Sequence, residues 1–336
     1  MEWWQDLTLI WTGIVAFAII MYVLMDGFDL GLGILFPFAP SDRDRDIMMN
    51  SVAPIWDFNE TWLVLGGAGL FAAFPLAYAI VLPALYLPLL AMLIALIFRG
   101  VAFEFRFKAN KSRFLWNIAF NLGSLVATFV QGATLGAFIQ GFQVEGRNFA
   151  GGMFDWLTPF AVVCGIALVA GYALLGCTWL IWRSEGSLQN WAYLLAKTLL
   201  IVVIGFILLV SIWTPLIHEG IAARWFSWPN IVFLSPVPLI TAGIVYMLWR
   251  SVTERREVQP FVWSMALFLI SYVGLAISVW PYVVPPHITI WDAASPPESQ
   301  VFLLIGMMFL IPTILAYTAF SYWVFRGKVT GETGYH

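Results

Sequence analysis

The sequence predicts an all-α integral membrane protein with about nine transmembrane helices. Three observations carry this. Of 336 residues, 61% are hydrophobic and only 10% are charged, where a soluble domain carries about 25% charged residues. Apolar runs of spanning length recur along the whole chain. They are continuous, unlike the short alternating segments of a β-barrel. So few charges cannot cover a water-facing surface, which excludes a soluble enzyme. The net charge of −3 also leaves no basic footprint for nucleic acid.

The first apolar segment covers 8–37. Its leader, Met1-Glu2-Trp3-Trp4-Gln5-Asp6, lacks a basic stretch, and no small-x-small site follows. The segment therefore reads as a retained spanning helix. Segments 53–74 and 77–103 come next, separated by a tight Phe74-Pro75 turn, and then 114–141. The stretch Val144–Asp155 offers a natural division into two halves, which composition alone does not show. Segment 156–182 holds both cysteines, Cys164 and Cys177. About 20 Å of helix separates them, far beyond disulfide reach, so both read as packing residues. Segments 191–215, 230–249, 261–283 and 300–325 complete the plan. In the seventh, Ser235-Pro236-Val237-Pro238 either kinks the helix or shifts its start.

Lys and Arg test the plan independently. Alternate loops collect Arg43, Arg45, Arg106, Lys108, Lys111, Arg113, Arg183, Arg250, Arg255, Arg256, Arg326 and Lys328 on one side. The other side holds Arg147 and Arg224, while Arg99 and Lys197 fall within segments. That asymmetry places the N-terminus outside and the C-terminus in the cytoplasm. Tryptophans fit interfacial belts: Trp3, Trp4, Trp156, Trp213, Trp225, Trp228 and Trp280 at the outer boundary, and Trp116, Trp182, Trp191, Trp249 and Trp323 at the inner one.

Ionisable residues within spans are expensive, and so they are informative. Asp26 and Asp29 lie three apart on the first helix, Asp57 and Glu60 three apart on the second, and Arg99 on the third. Counting from the segment ends, Asp29 lies about 12 Å from the cytoplasmic end, Asp57 and Glu60 roughly 6–10 Å, and Arg99 about 6 Å. Four acids and one base thus share the cytoplasmic half of three consecutive helices and should face the bundle interior. One reading is an ion-paired network that fixes register, with Arg99 bridging Asp29 and Asp57. The other is a proton or cation path from the cytoplasm, because clustered carboxylates in a low dielectric favour holding protons.

The fourth helix carries Asn117, Asn121, Ser124, Thr128 and Gln131 at steps of three and four, one continuous polar face. It is either interhelical hydrogen-bond glue or a water-bearing extension of the acidic cluster. The three histidines, His218, His287 and His336, fall at a helix end, in a loop and at the C-terminus. Axial haem ligation calls for His facing His or Met across helices, so this chain is not expected to ligate haem, and no metal site is expected. Gly31-Leu32-Gly33 reads as close helix packing, not a nucleotide loop.

These residues carry a family resemblance. Asp26-Gly27-Phe28-Asp29-Leu30-Gly31-Leu32-Gly33 resembles the signature of subunit II of cytochrome bd-type quinol oxidases. So do Asn50-Ser51-Val52-Ala53-Pro54-Ile55-Trp56-Asp57 with Asn59 and Thr61-Trp62-Leu63, and Phe98-Arg99 with Phe103-Glu104-Phe105-Arg106. Thr289-Ile290-Trp291-Asp292-Ala293 and Ala316-Tyr317-Thr318-Ala319-Phe320-Ser321-Tyr322-Trp323 are similar too. The resemblance implies two four-helix bundles, over 1–145 and 150–285, and a peripheral ninth helix with a cytoplasmic tail over 298–336. It implies a multi-pass protein of the bacterial cytoplasmic membrane.

The partner it implies is subunit I, carrying haems of b and b/d type and the quinol-oxidising loop. Together they would oxidise quinol, reduce dioxygen to water and take protons from the cytoplasm. Subunit II would bind no haem, and Asp26, Asp29, Asp57 and Arg99 match the family's proton-entry region. A small single-helix subunit, a structural quinone and lipids are further partners the family allows. Glu60 stands where some relatives carry Gln, which with the compact loops suggests the cyanide-insensitive branch. On this reading Asp57 and Asp29 are the principal proton carriers, Arg99 tunes them and Glu60 lies near the mouth. A stand-alone cation-coupled transporter is the alternative. It too would need intramembrane carboxylates, but also repeats and a midplane site. A pure scaffold is a second rival.

Overall fold

The computed structural model describes residues 3–330, so readings on Met1, Glu2, the Trp3 side chain and His336 fall outside it. Helix α1 (Trp3–Leu35) ends where Pro37 enters a short 3-10 turn, Phe36–Phe38. Ser41 then caps α2 (Asp42–Asn50), its hydroxyl accepting from the Asp44 amide at 3.1 Å. Next come α3 (Trp56–Ala73), α4 (Pro75–Ala84), α5 (Tyr86–Lys108) and α6 (Arg113–Gln140). The Phe74-Pro75 turn lies where the sequence puts it, and a second break at Leu85 divides the third anticipated segment into α4 and α5. A two-stranded hairpin, β1 (Val144–Glu145) and β2 (Asn148–Phe149), follows.

Helix α7 (Pro159–Arg183) starts with Thr158 as its cap, accepting from the Ala161 amide, and with Pro159 in the first turn. Then come α8 (Gly186–Ile217), α9 (Glu219–Phe226), α10 (Asn230–Leu234), α11 (Pro236–Thr253) and α12 (Gln259–Val279). Ser235-Pro236 breaks the seventh segment between α10 and α11. Strands β3 (Tyr282–Val284) and β4 (Ile288–Thr289) pair antiparallel, and α13 (Ile290–Ala293) and α14 (Pro297–Val324) close the chain. Gly141 ends α6 at φ 84°, and a Cβ there would stand 2.4 Å from the Pro285 carbonyl oxygen, so only glycine fits.

Among the described residues, eight helices are long and apolar enough to cross a membrane. The other anticipated segment is present as α3, but Asp57, Asn59 and Glu60 in its first turns lower its apolarity. Helix α7 is the hub. It packs on α1, α6, α8 and α12 and is mostly buried, whereas α14 lies outside against α1 and α3. Three tryptophans leave the belt pattern altogether: Trp11, Trp62 and Trp179 are fully buried. The Trp11 ring donates to the Gln300 carbonyl at 3.1 Å, and Trp179 stacks on Phe28 at 4.3 Å while donating to Ser51 at 3.2 Å. Cys164 and Cys177 are free and buried.

Candidate functional site

The glycines of the first motif explain how α1 carries acids into the core. A Cβ at Gly31 would stand 1.9 Å from the Tyr172 carbonyl oxygen of α7, and one at Gly33 would stand 2.0 Å from Ser124 Oγ of α6. Helix α1 therefore sinks between α6 and α7 as no larger residue would allow. Asp26 and Asp29, seven and four residues before Gly33, share its side of the helix and are both 0% exposed. Gly123 does the same for α5 against α6: its Cβ would meet the Ala95 carbonyl oxygen at 2.6 Å, beside Arg99.

Arg99, also 0% exposed, is the centre. Its Nη2 donates to Asp26 Oδ1 at 2.8 Å and lies 3.8 Å from Asp29 Oδ2, and its Nη1 lies 3.8 Å from Glu60 Oε2. Stacked Trp56 and Phe103 place their rings 6.0 Å and 5.8 Å from the guanidinium, within cation–π range. Asn59 Nδ2 donates to Asp29 Oδ2 at 2.8 Å, and Tyr322 Oη of α14 donates to Asn59 Oδ1 at 2.9 Å.

The anticipated cluster thus forms, with one correction. Asp57 is exposed, and the expected Arg99 bridge between Asp29 and Asp57 is replaced by contacts to Asp26, Asp29 and Glu60. Helix α3 begins at Trp56, whose ring packs inward on Phe103. The next residue is rotated by about 100° and points outward. Glu60 keeps 23% of its side chain exposed and forms the rim of the cluster.

The polar face of α6 is divided in its work. Asn117 accepts from Arg106 Nε at 2.6 Å, and Asn121 Nδ2 donates to the Gly33 carbonyl at 2.9 Å, where α1 ends. Gln131 Nε2 donates to Tyr22 Oη at 2.7 Å, and Tyr172 Oη donates to Gln131 Oε1 at 3.1 Å. Tyr22 lies one turn above Asp26 on α1, so this triad continues the cluster. Ser124 and Thr128 are fully buried, and their hydroxyls have no hydrogen-bond partner among the described residues. The same holds for Asp26 Oδ2, Asp29 Oδ1, Arg99 Nε and Arg99 Nη1. Donors and acceptors so gathered suit ordered water.

Three features escape the sequence reading. Asn59 and Tyr322 join the cluster although 263 residues separate them. The Tyr22–Gln131–Tyr172 triad ties α1, α6 and α7. Arg106, counted above with a loop, is 0% exposed and pairs with Asp46 of α2 at 2.7 Å, while Arg113 binds the same carboxylate oxygen. His218 Nε2 lies 3.0 Å from the carbonyl oxygens of Ile139 and of Gln140.

Residues 7–325 match the family described as cytochrome bd terminal oxidase subunit II. The chain is 30% identical to "Cytochrome bd-I ubiquinol oxidase subunit 2" of Escherichia coli (strain K12), covering 98% of this chain and 97% of that one. It is 27% identical to "Cytochrome bd ubiquinol oxidase subunit 2" of Bacillus subtilis, covering 96% of each. The fold matches that of the bd oxidase from Geobacillus thermodenitrificans with a TM-score of 0.73 at 17% identity, over 93% of this chain and 97% of that one. With that fold and those relatives, the chain belongs to the cytochrome bd terminal oxidase subunit II family.

Proposed function

We propose that this chain relays cytoplasmic protons, through the cluster around Arg99, to the dioxygen-reducing centre of a quinol oxidase of which it is a subunit. Reduction of dioxygen to water consumes protons as well as electrons, and those protons must enter a water-poor interior. The observation that carries the proposal is one buried guanidinium shared by three carboxylates, one of them half-open at the rim. Glu60 takes protons at that rim, with exposed Asp57 beside it. Asp29 and Asp26 hold them inside, and Arg99 keeps the carboxylates from repelling one another. The Tyr22–Gln131 pair and the Ser124 and Thr128 hydroxyls continue the polar track along α6.

The haems and the quinol-oxidising loop are assigned to subunit I. His218 is held by two backbone carbonyls and His287 lies in the β3–β4 turn, a poor fit to an axial pair. The bundles are placed over 1–145 and 150–285, with the peripheral helix and tail over 298–336. The N-terminus is placed outside and the C-terminus in the cytoplasm of a bacterial inner membrane, on the Lys and Arg distribution. The apolar outer faces of α8, α11 and α14 suit lipid, a quinone tail or a small single-helix subunit. The transporter alternative is not retained, because the relatives and the matched fold are those of an oxidase.

A scaffold role for the cluster draws on the full burial of Asp26 and Arg99. One experiment separates it from the relay. Asp29→Asn is introduced into the co-expressed two-subunit complex, and haem content and oxygen consumption are measured. The relay predicts normal haem content with turnover lowered about tenfold or more, a barrier increase of about 1.4 kcal/mol. The scaffold predicts altered stability with unchanged turnover per haem.

A further inference from the structure

The peripheral helix α14 reaches into the acidic cluster at one point. Tyr322 Oη donates to Asn59 Oδ1 at 2.9 Å, and Asn59 Nδ2 donates to Asp29 Oδ2 at 2.8 Å. We infer that Tyr322 is a positioning residue for proton transfer: with Asn59 it forms a reversible hydrogen-bond clamp that satisfies Asp29 whether or not it holds a proton. This rests on the relay reading above.

The argument is one of donors and acceptors. An ionised carboxylate only accepts, so Asp29 in that form needs the Asn59 amide NH2 turned towards it. The Asn59 oxygen then faces α14 and needs a donor, which the Tyr322 hydroxyl supplies. A proton on Oδ2, the oxygen facing Asn59, makes that atom a donor, and the amide then turns its oxygen to meet it. Its NH2 then faces α14 and needs an acceptor, which the same hydroxyl supplies by rotating. Both arrangements use the same heavy-atom positions. Phenylalanine at 322 would leave a buried amide atom unpaired in either one, and Asn59 is 0% exposed. The charged and titratable groups facing Asp29 are Asp26 on its own helix, Glu60 from α3, Arg99 from α5 and Tyr322 from α14.

The chain beyond α14 holds Tyr322 in register. Arg183 Nη2 donates to the Phe325 carbonyl, and the Val329 amide donates to the Arg183 carbonyl at 2.8 Å. Lys328 then pairs with Glu257 at 2.8 Å. The end of α14 that carries Tyr322 is thus tied to the end of α7 as well as packed against α1 and α3.

The test uses Tyr322→Phe in the assembled complex, with Asn59→Leu and the double variant beside it. Expected are unchanged haem content and quinol KM, kcat lowered about two- to tenfold, and a kcat–pH profile displaced by about half a unit to one unit, the scale of one hydrogen bond. The double variant should be no slower than the slower single, since both remove one clamp. If Tyr322→Phe assembles poorly, Asn59→Leu carries the same expectation. Wild-type kcat and pH profile in these variants, with Asp29→Asn slowed, would overturn the clamp and leave the relay standing. Wild-type turnover in Asp29→Asn as well would remove both. Additive losses in the double variant would also overturn the clamp.

Discussion

Replacing Arg99 by methionine tests the cluster as a unit. The side chain is of similar length, so the change removes charge and donors more than volume. Asp26, 0% exposed and 2.8 Å from the lost guanidinium, is left with no cation. Breaking a buried pair from one side costs about 3–5 kcal/mol. If Asp26 takes a proton instead, the cost falls towards the about 1–3 kcal/mol of an unsatisfied buried polar group. Against a total stability of about 5–15 kcal/mol, either value matters. At about 2 °C or less per kcal/mol for a chain of this size, a loss of about 1–5 kcal/mol should lower the melting temperature by at most roughly 2–10 °C. The assay is thermal inactivation of the detergent-solubilised complex, followed by haem absorbance. Adding Asp26→Asn should recover much of the loss, since it removes the stranded charge. A variant that melts with wild type, or a double variant that loses the sum of two singles, would refute the reasoning.

Other consequences are simpler to read. Gly31→Ala should cost at least about 1–3 kcal/mol through overpacking, because its Cβ would meet the Tyr172 carbonyl oxygen at 1.9 Å. The yield of haem-loaded complex should fall, while Gly205→Ala, with nothing within 4 Å, should be silent. At the C-terminal tail, hydrogen bonds from Lys328 and Gln189 hold the Glu257 carboxyl below its usual range. A depressed carboxyl contributes its stability above the unfolded value, near 4.3, and loses it as pH falls through the folded one. Hydrogen exchange of residues 325–330 should therefore stay slow at neutral pH and quicken on acidification below about 4, and Glu257→Gln should abolish most of that change.

The membrane class and the buried acids were legible because composition and cost leave few choices. An ionisable residue in an apolar run must find a partner inside, and Asp26, Asp29, Glu60 and Arg99 do. The glycines of Gly31-Leu32-Gly33 likewise read correctly as contact points. Asp57 did not, because a three-residue spacing says that two side chains share a face but not where the helix begins. With α3 starting at Trp56, its first turn presents Asp57 outward. The Asn59–Tyr322 bond was beyond reach, since no local period links residues 263 apart. Arg106 was read with a loop because α2 has no apolar stripe to announce it, yet α2 supplies Asp46 and buries that guanidinium. The α6 polar face was legible as a face, but its division between capping α1 and joining Tyr22 to Tyr172 is set by tertiary packing.

The most direct test of the account is proton uptake itself. The assembled oxidase, reconstituted in vesicles with a pH-sensitive dye on the cytoplasmic face, is given dioxygen after full reduction. In Asp29→Asn the account predicts that uptake and turnover slow together by about tenfold or more, with haem content and quinol KM unchanged. Uptake at the wild-type rate in that variant would contradict it.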